Sequence, residues 1–268
     1  SVLGERVGGD HGRVTARLLV LVLIFSSAAR ADIPLSDRRS GYEFMGRETR
    51  AMQDDDATNP AMLWVLDGEE SWNRKAGATG KACADCHGEA GGSMKGVAAR
   101  FPAFDPSAGK LINLDQRINL CRTEHQKAPA LQLEGRELLA LSAYVARQSR
   151  GLPIEIPISE KTRPFLEAGR AAFTRRVGQL NLACSQCHDD NWGKSLAGNP
   201  VPQAHPTGYP IYRLEWQGVG SLERRLRNCM IGVRAEPYEY GSPELVELEL
   251  YLMWRARGMR LETPAVRP

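Results

Sequence analysis

The sequence contains no run of basic residues and almost no net charge, +3 over 268 residues with 35 Lys and Arg against 32 Asp and Glu. That balance leaves no electrostatic footprint for nucleic acid, which is set aside as a partner. Its longest apolar stretch, Leu18 to Phe25, is too short to span a bilayer as a permanent helix. Cysteine is scarce too. Of six, four fall in two five-residue motifs, leaving only Cys121 and Cys229.

Those motifs are Cys83-Ala84-Asp85-Cys86-His87 and Cys184-Ser185-Gln186-Cys187-His188. Two thiols three residues apart, followed at once by an imidazole, suit covalent c-type haem attachment. The thiols capture the two vinyl groups as thioethers and the next side chain reaches the iron. A Cys-x-x-Cys pair alone would also fit a zinc knuckle or a redox disulfide, but a histidine after both pairs favours haem. Two covalently bound haem c groups are expected, held by Cys83, Cys86 and His87 and by Cys184, Cys187 and His188.

Residues 1–31 read as a signal peptide: Arg13 and Arg17, the apolar core to Phe25, then Ala29-Arg30-Ala31 as a cleavage site. An uncleaved anchor is the alternative. Export to the periplasm suits c-type haem, and the chain after residue 31 keeps 31 basic and 30 acidic residues.

Along the chain, helical apolar spacing is expected from Ala61 to Trp72, from Glu137 to Arg150, from about Ser159 to Phe173 and from about Pro243 to Arg257. Pro153 and Pro157 make the stretch between the second and third of these extended. An internal repeat underlies the pattern. Gly68, Trp72, Cys83 and His87 match Gly169, Phe173, Cys184 and His188 at an offset of 101. Arg117 and Cys121 match Arg225 and Cys229 at 108, and Glu137, Leu138, Tyr144, Arg150 and Gly151 match Glu244, Leu245, Tyr251, Arg257 and Gly258 at 107. The expected fold is all-α, a tandem pair of cytochrome c-like domains over 32–152 and 161–268, joined by a linker at 153–160.

His87 and His188 would fill one axial position on each iron. Met94, His125 and Cys121 are candidates for the other position at the first haem; Met230, His205 and Cys229 are candidates at the second. Only the cysteines repeat, which favours Cys121 and Cys229 as ligands. A disulfide between them, or a buried apolar thiol, would also account for spare cysteines. Around Cys229 stand Arg224, Arg225, Arg227 and Arg234, a cluster that favours thiolate and attracts small anions. Solvated pairing with Glu215, Glu223 or Glu236 is the plainer reading of any one of these arginines.

The segment from Arg225-Leu226-Arg227-Asn228-Cys229 through Arg234-Ala235-Glu236-Pro237-Tyr238, then Gly241-Ser242-Pro243-Glu244-Leu245 and Leu248 to Leu252, resembles the signature of the SoxA family. These are cytochrome subunits of the SoxAX complex, an L-cysteine S-thiosulfotransferase of bacterial sulfur oxidation. The two haem motifs resemble those of its dihaem members. The resemblance implies oxidative coupling of thiosulfate to a cysteine of the carrier SoxYZ, giving a cysteine S-thiosulfonate and two electrons. It implies a heterodimer with the monohaem cytochrome SoxX and an electron-accepting cytochrome c. It further implies His/Cys ligation by His87 with Cys121 and by His188 with Cys229. Cys229 would be the active-site cysteine, able to carry an extra sulfur as a persulfide, with Arg225 beside it. With the substrate that the resemblance implies, thiosulfate is expected to dock on Arg225 with Arg227 or Arg234. The rival readings are a dihaem electron-transfer cytochrome, a thiosulfate dehydrogenase and a cytochrome peroxidase.

Overall fold

In a computed structural model, residues 33–268 except Ala197 are described, together with residues 1, 2 and 4. Apart from residues 1, 2 and 4, the expected signal peptide lies outside the described residues. In chain order the helices of the first half are α1 (Arg47–Asp54), α2 (Met62–Asn73), α3 (Ala84–His87), α4 (Ala90–Ser93), α5 (Leu114–Cys121) and α6 (Arg136–Arg147). Those of the second are α7 (Arg163–Thr174), α8 (Cys184–His188), α9 (Leu222–Gly232) and α10 (Pro243–Arg255). No described helix is long and apolar enough to cross a membrane.

The repeat seen in the sequence is a repeat of packing. Helices α2 and α6 cross at Gly68, where a β-carbon would overlap the Ala140 carbonyl and press on Tyr144. Helices α7 and α10 cross at Gly169, against the Glu247 carbonyl and Tyr251. Only hydrogen fits at either crossing, so the helices approach backbone to backbone. Helix starts repeat as well. The Asn113 side chain accepts from Gln116 N at 3.0 Å to begin α5, and the Ser221 hydroxyl accepts from Arg224 N at 3.2 Å to begin α9.

The two halves share a core. Ala98, Leu111 and Ala146 of the first belong to one apolar cluster with Phe173, Val246 and Tyr251 of the second. Segment 153–158 is extended, and its Ile154 and Ile156 are buried in that cluster. The Ile154 amide donates to the Met259 carbonyl at 2.9 Å, and the Glu155 amide to Ala99 at 2.9 Å. Between the halves lies a cavity of about 60 Å³, lined in part by Asp115 and Ser142 from one and Glu223 and Glu249 from the other.

The all-α expectation needs correction, because short strands accompany the helices. Strands β1 (Ala103–Asp105) and β2 (Lys110–Ile112) form an antiparallel pair. A second pair joins β3 (Ser195–Leu196) and β4 (Asn199–Pro200). A three-stranded sheet has the order β6-β5-β7, from β5 (Ile211–Arg213), β6 (Gly218–Gly220) and β7 (Ala265–Arg267). Strand β7 pairs parallel with β5, Ile211 opposite Ala265, and its Val266 amide donates to the Gln53 side chain at 3.1 Å. Strands of two or three residues are too short to show an alternating pattern.

Candidate functional site

Both haem motifs lie on single turns of helix, α3 and α8, each entered from a loop that is clamped to the helix bearing the spare cysteine. In the second half, Gly178 has φ +69°, and a β-carbon there would overlap the Val233 carbonyl just past α9. The Gln179 and Leu180 amides donate to the Arg234 and Val233 carbonyls at 3.2 and 3.3 Å. In the first half Gly77 abuts Gln126, and the Ala78 and Thr79 amides donate to Lys127 and Gln126, both at 3.3 Å. Lys127 and Arg234, the matching residues past each cysteine helix, share left-handed backbone at φ 56° and 58°. The clamp therefore ties the segment after Cys121 to the loop that enters the first motif, and the segment after Cys229 to the loop that enters the second.

Electrostatics agree with that placement. Burial first and the neighbouring Cys229 second push the Cys184 thiol up to about 11. Burial also raises the Cys83 and Cys121 thiols, with Cys121 contributing at Cys83 and Cys86 at Cys121. All six cysteines are free, so Cys121 and Cys229 are not bridged to each other.

The residues fit a covalently bound haem, most fully at the second motif. His188 Nδ1 lies 2.6 Å from the Pro202 carbonyl, which requires the proton on Nδ1 and leaves the Nε2 lone pair free for a metal. Burial pushes the imidazole's pKa down, and Arg225 and Arg255 add to that effect while the Pro202 hydrogen bond opposes it. Behind it Arg255, buried on α10, donates to Asp189 at 2.6 Å and packs over Phe173 at 4.6 Å. Leu180, Trp192, Leu196 and Ile231, large apolar side chains left exposed, belong to the segments flanking Cys184–His188 and Cys229. At the first motif His87 and Cys86 are exposed, and Trp72 lies 5.7 Å from the His87 ring while donating to the Gly88 carbonyl at 3.1 Å.

The other ligand candidates are placed differently. His205 is buried, its Nδ1 3.0 Å from the Arg39 carbonyl. His125 is exposed on the π-turn after α5, and Met94 packs into the apolar cluster of the first half. Met230 sits beside Cys229 on α9.

The arginines of α9 face different surroundings. Arg224 lies over the Trp216 ring and Arg227 over Tyr240, each at 4.4 Å. Arg234 is exposed. Arg225 acts electrostatically on His188, Tyr209 and Arg213, so its charge is directed at the second motif. Sequence reasoning passed over three residues here: Arg213, Tyr209 and Arg255.

Comparison with known proteins decides the family. The family model described as SoxA/TsdA, cytochrome c domain, matches residues 67–154 and again 168–261. The chain belongs to the SoxA family. It is 37% identical over 246 residues to the L-cysteine S-thiosulfotransferase subunit SoxA of Pseudaminobacter salicylatoxidans, covering 91% of this chain and 86% of that one. To the SoxA subunit of Rhodovulum sulfidophilum it is 36% identical, covering 96% and 98%. Among solved structures it is similar to SoxXA from P. pantotrophus, with a TM-score of 0.83 and 32% identity over 86% of this chain and 87% of that one. The family's cytochrome c domain thus occurs twice here, and SoxA-family membership brings covalent haem c as the cofactor.

Proposed function

We propose that this chain is the SoxA subunit of an L-cysteine S-thiosulfotransferase, and that its reaction takes place at the C-terminal motif. The observation that carries the reading is the Gly178 clamp, which ties the loop entering Cys184 to the backbone just past the Cys229 helix, with Cys229 acting electrostatically on Cys184 and Arg225 on His188. Cys83, Cys86 and His87 hold one haem and Cys184, Cys187 and His188 the other. Cys121 and Cys229 would each supply a sulfur ligand to one of the irons. The domain with the active site spans 161–268, the N-terminal cytochrome c domain 32–152 and the connecting segment 153–160. Residues 1–31 direct export to the periplasm, where the subunit pairs with SoxX.

Thiosulfate carries two negative charges, one shared by its sulfonate oxygens and one on the outer sulfur. Arg225 binds the sulfonate, with Arg227 and Arg234 as supporting cations, and turns the outer sulfur towards Cys229 and the entering thiol of SoxYZ. Joining that sulfur to the carrier thiol forms one S–S bond and releases one proton and two electrons. When bound, the haem would supply one-electron acceptance, with an oxidised cytochrome c as the final acceptor. His188 keeps its proton on Nδ1 towards Pro202 throughout, and Arg255 pairs with Asp189, the next residue along the chain.

The test is product analysis with the holo protein, SoxX, SoxYZ and an oxidised cytochrome c. Mass spectrometry should find thiosulfonate on the carrier cysteine in step with cytochrome reduction. Tetrathionate formed from thiosulfate alone, without SoxYZ, would instead make the protein a thiosulfate dehydrogenase.

A further inference from the structure

The halves match so closely that one mismatch stands out. Strands β1 and β5 align at the same offset of 108 that aligns Arg117 with Arg225 and Cys121 with Cys229. At the last position of those strands the first half has Asp105 and the second has Arg213.

In the first half Arg117 donates to Asp105 at 2.8 Å. Asp105 is buried, and its other oxygen accepts from the Ser107 hydroxyl and the Ser107 and Ala108 amides at 2.6 to 2.9 Å. The guanidinium next to Cys121 is thereby neutralised within the fold. In the second half the aligned partner of Arg225 is another cation. Arg225 has no carboxylate partner among the described residues.

Arg213 is not positioned as a solvated surface charge. Its side chain is only 16% exposed, and its Nε is buried without a hydrogen-bond partner. Its one carboxylate contact, Glu215 at 3.1 Å, stands on the exposed side with 62% of its surface open. Arg225, Tyr209 and Cys229 all act on it electrostatically. Two guanidinium groups that act on each other at reduced solvation repel, and a buried donor left unpaired carries a desolvation penalty. A dianion between them relieves the repulsion.

We infer that Arg213 is a second substrate-binding residue, which with Arg225 forms a two-guanidinium cleft beside Cys229 that selects a sulfur oxyanion of charge two. This rests on the reading that thiosulfate is the substrate. It explains why the cleft occurs in one half alone: Asp105 closes the equivalent place beside Cys121. The arginine on the strand and the arginine on the helix approach the anion from two elements and so fix its direction as well as its affinity.

The experiment uses the holo complex with SoxX, comparing wild type with Arg213→Gln and Arg213→Lys. Thiosulfate affinity is measured by calorimetry without SoxYZ, so that no turnover is needed, and KM and kcat are measured with SoxYZ present. Arg213→Gln should weaken thiosulfate binding and raise KM by roughly ten- to hundred-fold while kcat changes little, as loss of a charged hydrogen bond predicts. Arg213→Lys keeps one charge but loses the planar fork, and should weaken binding several-fold. If the Gln protein does not accumulate with haem attached, the Lys protein carries the test. Unchanged thiosulfate affinity in the variant tested, or a wild type that binds no thiosulfate, overturns the inference. A wild type that binds thiosulfate through Arg213 but modifies no SoxYZ upholds the cleft and overturns the proposed function.

Discussion

The α-carbon of Gly178 lies against the Val233 carbonyl, so the loop that enters Cys184 is seated on the backbone that ends the Cys229 helix. Sequence places these two residues 55 positions apart, yet the contact fixes the distance between the two sides of the candidate site.

That contact gives a prediction with an internal control. Gly178 and Gly80 both have positive φ, at 69° and 59°, but only Gly178 has backbone where a side chain would go. Gly80→Ala should cost about 1 kcal/mol, the penalty of left-handed backbone alone. Gly178→Ala must also displace Val233 and Ala235, and should cost about 3 kcal/mol or more. Thermal unfolding of the two holo proteins, read by far-ultraviolet circular dichroism, tests the difference; equal losses would dissolve the clamp.

Stability should fall as pH rises through neutrality, because of the acids at the junction of the halves. Burial pushes the Glu223 carboxyl up to about 7, with Asp115 and Glu134 adding repulsion and Arg227 opposing them. Asp115 is raised to about 6 by burial, and Glu249 is raised by burial and by Glu223. Asn113 donates to both Glu223 and Glu249, at 3.0 and 3.2 Å, and Gly241 N donates to Glu223 at 2.7 Å. For a carboxyl raised in the folded state, the unfolded chain loses its proton first, so folding is disfavoured progressively from about pH 4.5 to 7. Glu223→Gln removes that titration. It should stabilise the protein by about 1–3 kcal/mol at pH 8 and by little at pH 4.5. Denaturant titrations at the two pH values check this, and a variant with the same pH slope as wild type would contradict it.

Haem content should respond to each motif separately. Replacing Cys83 and Cys86 by Ser should lower the mass by one haem, and so should replacing Cys184 and Cys187, because each pair makes its own thioethers. Intact-protein mass spectrometry under denaturing conditions reads the count. Loss of both haems from either double variant would mean that the two attachments are coupled.

Much of this was legible in the sequence because it is written in residue types. The two Cys-x-x-Cys-His motifs, Gly68 with Gly169, and Cys121 with Cys229 are identical pairs, so a repeat could be found by laying one half over the other. Helix α10 begins at Pro243, where the Ser-Pro pair announces a cap. The strands were hidden because three residues carry no period, and β7 pairs with β5 across 54 positions of chain. The support of His188 by Pro202 was hidden because a carbonyl acceptor leaves no side-chain signature. Arg213 escaped for the opposite reason: its repeat partner is Asp105, and a search for identity passes over a reversal of charge.

The central claim is that the Cys229 sulfur takes part in the reaction, and Cys229→Met tests it most directly. The variant should keep both haems, since the thioether cysteines are untouched, and should lose thiosulfate-dependent reduction of cytochrome c with SoxX and SoxYZ by at least about a hundredfold. Reduction at the wild-type rate with haem content intact would contradict the account.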